Sequence, residues 1–405
     1  MKRVSLLLTL ILVLVALVSC GKSTPAEPTA APAVAEPTAT AVPTEAPTEV
    51  PTEAPTEAPT VAEAAPTVAE AAAPAAAAVA IDPTLLAVHF ATLPAEATTD
   101  KYPLSKEMTD LGRMLFYEKR LSIDQDIACN TCHLLDKYGM DGLSTSTGHE
   151  GVKGGRNAPT VYNAALEVAQ FWDGRSPDVE DQAKGPIQNQ IEMGMPTGGQ
   201  EAADMIKTIP DYEPMFKAAF PNDPDPINFE NLTTAIAAFE RKLMTPGRFD
   251  KFLAGDSTQL NEQEQRGLQK FMSLNCTMCH RGPTVGGEMY MKLGLVKAYP
   301  TEDLGRYEVT KNEADKYVFK VSMLRNIAMT GPYFHDGSVA TLEEAVKLMA
   351  DYQLGQNLSD AEIADIVAFL NSLTGDLPTD YIAEPAPFAN GPDTPPVPTV
   401  KHITN

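Results

Sequence analysis

Two pentapeptides, Cys129-Asn130-Thr131-Cys132-His133 and Cys276-Thr277-Met278-Cys279-His280, constrain this chain more than any other feature in it. Cys-x-x-Cys-His is the attachment signature of c-type haem. Two thiols three positions apart can bond to the two vinyl groups of one haem, and the adjacent imidazole is then placed to ligate the iron. A lone Cys-x-x-Cys also serves as a redox dithiol or as half of a zinc site. Here the pattern occurs twice and takes four of the five cysteines, which favours two covalently held haem c groups over either alternative. The fold has to be built around two macrocycles, one in each half.

Thiol attachment of haem takes place outside the bacterial cytoplasm, so an export signal is expected. Lys2 and Arg3 precede an apolar run over 4–18, and Leu17-Val18-Ser19-Cys20 resembles the lipobox of bacterial lipoproteins. Residues 1–20 therefore read as a lipoprotein signal with Cys20 as the lipidated residue. An ordinary cleaved signal or a single spanning helix is the alternative. Residues 21–82 are built from Pro, Ala, Thr and Glu and lack the apolar residues that offset ordering entropy. They read as a disordered tether reaching on the order of 150–190 Å at ~3.1 Å per residue. The formal charge of −23 argues against nucleic acid or an anionic membrane surface as a partner. An acidic surface could steer a basic donor protein or simply confer solubility.

Past residue 83 the pattern is helical. Met108, Leu111, Leu115 and Phe116 share a face within 105–118, and Leu232, Ile236 and Phe239 do so within 229–243. A shorter helical pattern lies at 202–206. Asn261 with Glu264, and Ser359 with Glu362, form capping boxes that open two further helices. The second carries Ile363, Ile366, Val367 and Leu370 at i, i+3, i+4 and i+7. A glycine-rich stretch over 139–157 reads as an irregular loop. The best strand candidate is 315–321, which could form one arm of a small hairpin. Thr245-Pro246-Gly247 punctuates the chain. The expected class is mostly α: two tandem cytochrome c-like haem domains, 83–246 and 247–405. The second ends in a Pro-rich arm from Leu377 that lies on the surface or frays.

Each haem has one axial ligand from its own motif, His133 or His280, and the sixth position decides its role. His89, His149, His335 and His402 are the other histidines; His89 and His402 read most simply as surface residues. Gly148-His149-Glu150-Gly151-Val152-Lys153-Gly154-Gly155-Arg156-Asn157-Ala158-Pro159-Thr160, Ala169-Gln170-Phe171-Trp172-Asp173-Gly174-Arg175, Gln182-Ala183-Lys184-Gly185-Pro186 and Leu324-Arg325-Asn326-Ile327-Ala328-Met329-Thr330-Gly331-Pro332-Tyr333-Phe334-His335-Asp336-Gly337 resemble the bacterial di-haem cytochrome c peroxidases. The resemblance runs from about Pro103 to about Leu373, with both haem motifs in order.

That resemblance implies a role for each of several residues. His149 is the displaceable distal ligand of the N-terminal, peroxidatic haem, carried on a loop that must swing away. Met349, in Lys347-Leu348-Met349-Ala350-Asp351-Tyr352, is the distal ligand of the C-terminal, electron-transfer haem; Met291 is its rival on position alone, and the chain holds 16 Met. Glu192 is the distal acid–base carboxylate. Gln182 is a polar neighbour that positions peroxide, and Trp172 sits between the haems, where His335 could join it without a ligand role. Asn157, Thr330 and Pro332 supply neutral oxygens to an interdomain Ca²⁺. The activity implied is reduction of hydrogen peroxide with electrons from a small cytochrome c or cupredoxin, in an exported protein lipid-anchored to a membrane and facing the periplasm or cell exterior. A homodimer stays open. The alternatives are a di-haem oxidase that modifies residues of a partner protein, which carries Tyr where Met349 stands and makes Tyr352 an awkward neighbour, or a non-catalytic di-haem electron carrier.

Overall fold

The computed structural model describes residues 81–399. The signal, Cys20, the tether and His402 lie outside the described residues. Helices dominate, and the two capping boxes read from the sequence form as expected. Ser105 accepts a hydrogen bond from the Met108 amide (3.1 Å) and opens helix Lys106–Phe116. Asn261 and Glu264 bond reciprocally at the head of helix Glu262–Ser273. Ser359 and Glu362 do the same for helix Asp360–Asn371. The pattern at 202–206 falls within helix Gln200–Lys207, and that at 229–243 forms helix Phe229–Glu240, which stops three residues short of the expected end. The strand candidate shortens to Val318–Lys320, paired antiparallel with Tyr290–Lys292 in the register Met291↔Phe319. A long connection separates the two strands, so they form no tight hairpin.

One packing device occurs twice. Helix Lys106–Phe116 crosses helix Phe229–Glu240 at Gly112, where a Cβ would lie 1.8 Å from the Ala235 carbonyl oxygen and 2.8 Å from Phe239 Cβ. Helix Glu262–Ser273 crosses helix Asp360–Asn371 at Gly267, where a Cβ would lie 1.8 Å from the Asp365 carbonyl oxygen and 2.9 Å from Phe369 Cβ. Only glycine permits backbones this close. Each crossing anchors one hydrophobic core: Leu111, Leu115, Phe116, Phe216 and Phe239 in the first, Phe249, Leu268, Phe271, Phe369 and Leu370 in the second.

Thr245, expected as punctuation, is fully buried and joins the two halves. Its hydroxyl accepts hydrogen bonds from the side-chain amides of Asn163 and Asn326, each at 2.9 Å. The two asparagines are related by position. Both are left-handed and precede a short 3₁₀ turn. The Asn163 amide donates to the Leu243 carbonyl, and the Asn326 amide to that of Leu373. Their side-chain oxygens accept from the Thr245 and Gly375 amides.

Terminal segments cross between the cores. Leu86 and Phe90, at the start of the described chain, belong to the second core. The Pro-rich arm covers the first. Ile382 is buried there, the Tyr381 ring stacks on Phe239 at 5.0 Å, and Phe388 meets Tyr212 edge-on at 4.9 Å. The arm therefore seals a core instead of fraying, because Leu377, Tyr381, Ile382 and Phe388 find the same apolar face, while Val397 stays exposed.

Candidate active site

Local backbone geometry arranges each pentapeptide for attachment. Cys129–Cys132 is a single helical turn, closed by the Thr131 hydroxyl accepting from the Ala128 amide (2.9 Å). The His133 amide donates to the Cys129 carbonyl (3.0 Å), and His280 repeats this bond to Cys276 (2.9 Å).

The environment suits neutral imidazole ligands. His133 Nδ1 lies 3.4 Å from the Gly139 carbonyl oxygen, which leaves Nε2 for a metal. Burial pushes the His133 pKa down, with the Gly139 and Pro159 carbonyls opposing. His280 is pushed down to about 4 by burial, against the pull of the Ser322 and Val285 carbonyls. Its buried Nδ1 makes no hydrogen bond of ordinary geometry. Burial also raises the thiols of Cys129, Cys132 (to about 11) and Cys276 (to about 12). Paired thiols, a neutral imidazole and apolar walls fit covalent haem.

A cavity of about 270 Å³ opens beside His280, Cys276 and Cys279. Helix Leu342–Leu354 lines it with Leu342, Ala345, Val346, Met349, Ala350 and Gln353, one stripe at helical spacing with Met349 at its centre. Tyr352 is off the stripe; its ring meets Tyr299 at 5.2 Å and carries the Lys297 ammonium 4.7 Å above it. Met291 lines the cavity from its strand, as do Met140 and Met323, which no motif in the sequence singles out.

Trp172, Asn157, Thr330, Pro332 and His335 lie in the same wall. Trp172 Nε1 donates to the Asn157 carbonyl (2.8 Å), and its ring meets His335 edge-on at 6.4 Å. The Asn157 amide donates to the His335 carbonyl, and Asn157 Nδ2 donates to the Leu143 carbonyl (2.9 Å), which leaves Oδ1 for another partner. The Thr330 and Pro332 carbonyls accept no hydrogen bond from any described residue. Three neutral oxygens without donors fit a Ca²⁺ ligand set. Among the described residues no group of three or more His, Cys, Asp or Glu side chains could hold a metal ion.

His149 and Glu192 come together on the other side. Thr147 pairs with Lys153 across a tight loop, and His149 opens the turn at its tip. The His149 amide donates to the Glu192 carbonyl (2.8 Å). Gly148 makes this approach possible: a Cβ there would lie 2.1 Å from the Ile191 carbonyl oxygen. Glu192 accepts from Asn189 Nδ2 (2.6 Å). Burial raises its pKa, with the Arg175 charge and Asn189 opposing. The Glu192 charge adds a minor upward push to the Cys132 thiol, behind burial and Asp141. Gln182, half-buried at the end of helix Val179–Gln182, bonds through its side chain to no described residue.

Arg156 is a site residue that sequence pattern does not single out. Its guanidinium joins Asp303 (2.7 Å) and Asp173 (2.6 Å) next to Asn157 and Trp172. A charged residue in a glycine-rich loop gives no periodic signal by which to find it.

The model of the di-haem cytochrome c peroxidases matches residues 106–258. The cytochrome c551 peroxidase of Pseudomonas aeruginosa is 43% identical over 305 residues, 73% of this chain and 88% of that protein. The chain belongs to the di-haem cytochrome c peroxidase family. The cytochrome c551 peroxidase of Nitrosomonas europaea is 45% identical over 314 residues, covering 77% of this chain and 91% of that one. A solved MauG-like protein associated with microbial copper homeostasis superposes with a TM-score of 0.65 at 30% identity, over 72% of this chain and 97% of that chain. The mostly helical fold of this family member is thus the MauG-like di-haem fold.

Proposed function

We propose that this chain holds one haem in each half, 83–246 and 247–405, and divides peroxide reduction between them. The protein is an oxidoreductase of the cytochrome c peroxidase type, which turns over H₂O₂ + 2 e⁻ + 2 H⁺ → 2 H₂O. Cys129, Cys132 and His133 hold the first haem with His149 as its displaceable partner; Cys276, Cys279, His280 and Met349 hold the second. When bound, the haems would supply one-electron redox chemistry and a site for peroxide. Glu192 takes a proton from one peroxide oxygen and returns it to the other, which leaves as water. Burial suits it to the first half of this exchange, because a carboxylate with a raised pKa takes up a proton more readily than a solvated one. Gln182 orients peroxide, and Trp172 fills the space between the halves.

The observation that carries this reading is the hydrogen bond from the His149 amide to the Glu192 carbonyl, which makes the capping imidazole and the proton carrier one unit. An electron carrier needs neither. Met349, and not Tyr352, lies in the stripe facing the His280 cavity, which favours peroxide reduction over oxidation of a partner protein. Met278, between the second pair of cysteines, is 69% exposed, so a small cytochrome c or cupredoxin can approach there. Asn157, Thr330 and Pro332 hold Ca²⁺ in the same wall. Cys20 carries the lipid and 21–82 the tether, outside the cytoplasm. Among the described residues no helix is long and apolar enough to cross a membrane.

Thioether ligation raises a haem potential relative to imidazole, so Met349→His should lower the potential of the second haem and keep it six-coordinate. A redox titration matching wild type would pass the ligand role to another methionine of the cavity wall, Met291 first.

A further inference from the structure

Asp124 stands against His149. Its Oδ2 lies 2.9 Å from His149 Nδ1, and both side chains are only 16% exposed. The contact is at ion-pair distance but bent away from hydrogen-bond geometry, and Nδ1 is buried with no other partner. Asp124 in turn pairs with no lysine or arginine among the described residues. Nε2 is 3.9 Å from the exposed Glu150 carboxylate and is the nitrogen left for a ligand.

The backbone that carries Asp124 is firmly held. The Ser122 hydroxyl donates to the Lys119 carbonyl (2.9 Å) and accepts from the amides of Asp126 (3.1 Å) and Ile127 (3.0 Å). The Ile123 amide donates to the Met193 carbonyl (2.9 Å), one residue past Glu192. Gln125, at a left-handed φ of 57°, donates through Nε2 to the carbonyls of Pro395 and Pro396 at 3.3 Å, so the arm pins this loop from outside. Cys129 follows five residues after Asp124, which ties the loop to a haem attachment point. Asp124 is therefore on a fixed frame, while His149 is at the tip of a loop.

We propose that Asp124 is a positioning residue that latches His149 in its resting place. This rests on His149 being the distal ligand. A carboxylate on one ring nitrogen selects the tautomer that presents the other to a metal and makes that nitrogen a better donor. It also biases the loop towards the closed state, since swinging His149 away strands a desolvated carboxylate. A charge-assisted contact that tightens into a hydrogen bond when the imidazole is ligated would shift such a two-state ratio roughly 10- to 150-fold.

The test uses the di-haem holoprotein, fully oxidised, with Asp124→Ala, Asp124→Asn and His149→Gly beside wild type. Low-temperature electron paramagnetic resonance reads the low-spin to high-spin ratio of the first iron, and the second haem is an internal control. The expected result is a large gain of high-spin signal in Asp124→Ala and a smaller one in Asp124→Asn, which keeps an acceptor oxygen without the charge. Signals of the Met349 haem should not change. If His149→Gly raises the high-spin signal while both Asp124 variants match wild type, the latch is overturned and the ligand reading stands. If His149→Gly also matches wild type, the ligand reading fails and takes the latch with it. A change in both haems of the Asp124 variants would signal general disruption and overturn the specific role.

Discussion

At the residue scale the proposed chemistry rests on Glu192. Glu192→Gln keeps the shape and the Asn189 contact but cannot exchange a proton, so turnover should fall about 10²–10⁴-fold with both haems retained. Its pH profile supplies a second check. Burial raises the Glu192 pKa, so the ionised, proton-accepting form is lost as pH falls through a value above the ordinary carboxylate range. Activity should therefore fall on its acid side earlier than for a solvated glutamate, and Glu192→Gln should lose that limb. Steady-state assays across pH read both, and an unchanged acid limb in the variant would assign it elsewhere. Cys-x-x-Cys-His is legible in sequence because its meaning is local, whereas the role of His149 is read only through the family resemblance. Asp124 is not legible: it meets His149 across a loop closure, and nothing in its own neighbourhood distinguishes it from Asp126.

At the element scale the helices follow their caps and apolar spacing, and this much is legible in the chain. The crossings that set their separation are not, because the partners of Gly112 and Gly267 lie far away in sequence. Gly112→Ala and Gly267→Ala should each destabilise the fold by about 1–3 kcal/mol, since the new methyl must push one helix off the other. Chemical denaturation of the two variants reads this. A Gly→Ala change at an exposed helical position would instead stabilise, so a gain at either site would contradict the crossing geometry.

Over the whole molecule, the two halves are joined through Thr245 and through the exchanged terminal segments. Thr245→Val preserves volume but leaves the Asn163 and Asn326 amides without their shared acceptor. At about 1–3 kcal/mol for each stranded donor, the variant should lose about 2–6 kcal/mol in a denaturant titration. A variant as stable as wild type would mean that the two amides find other acceptors. Thr245-Pro246-Gly247 has the composition of a linker because proline and glycine usually mark exposed turns, and sequence pattern does not register burial between two related asparagines. The arm escapes sequence reading for a similar reason. Tyr381, Ile382 and Phe388 are spaced without period among prolines, and only the face of the first core shows what they cover. The proposed division of peroxide reduction between two haems, with His149 as a displaceable ligand, predicts an oxidised protein that is closed by His149 and opened by an electron on the Met349 side. Stopped-flow mixing with H₂O₂ tests this directly. Half-reduced protein should react at once, fully oxidised wild type should not, and oxidised His149→Gly should react without reduction. Prompt reaction of oxidised wild type, or no reaction of the half-reduced protein, would contradict it.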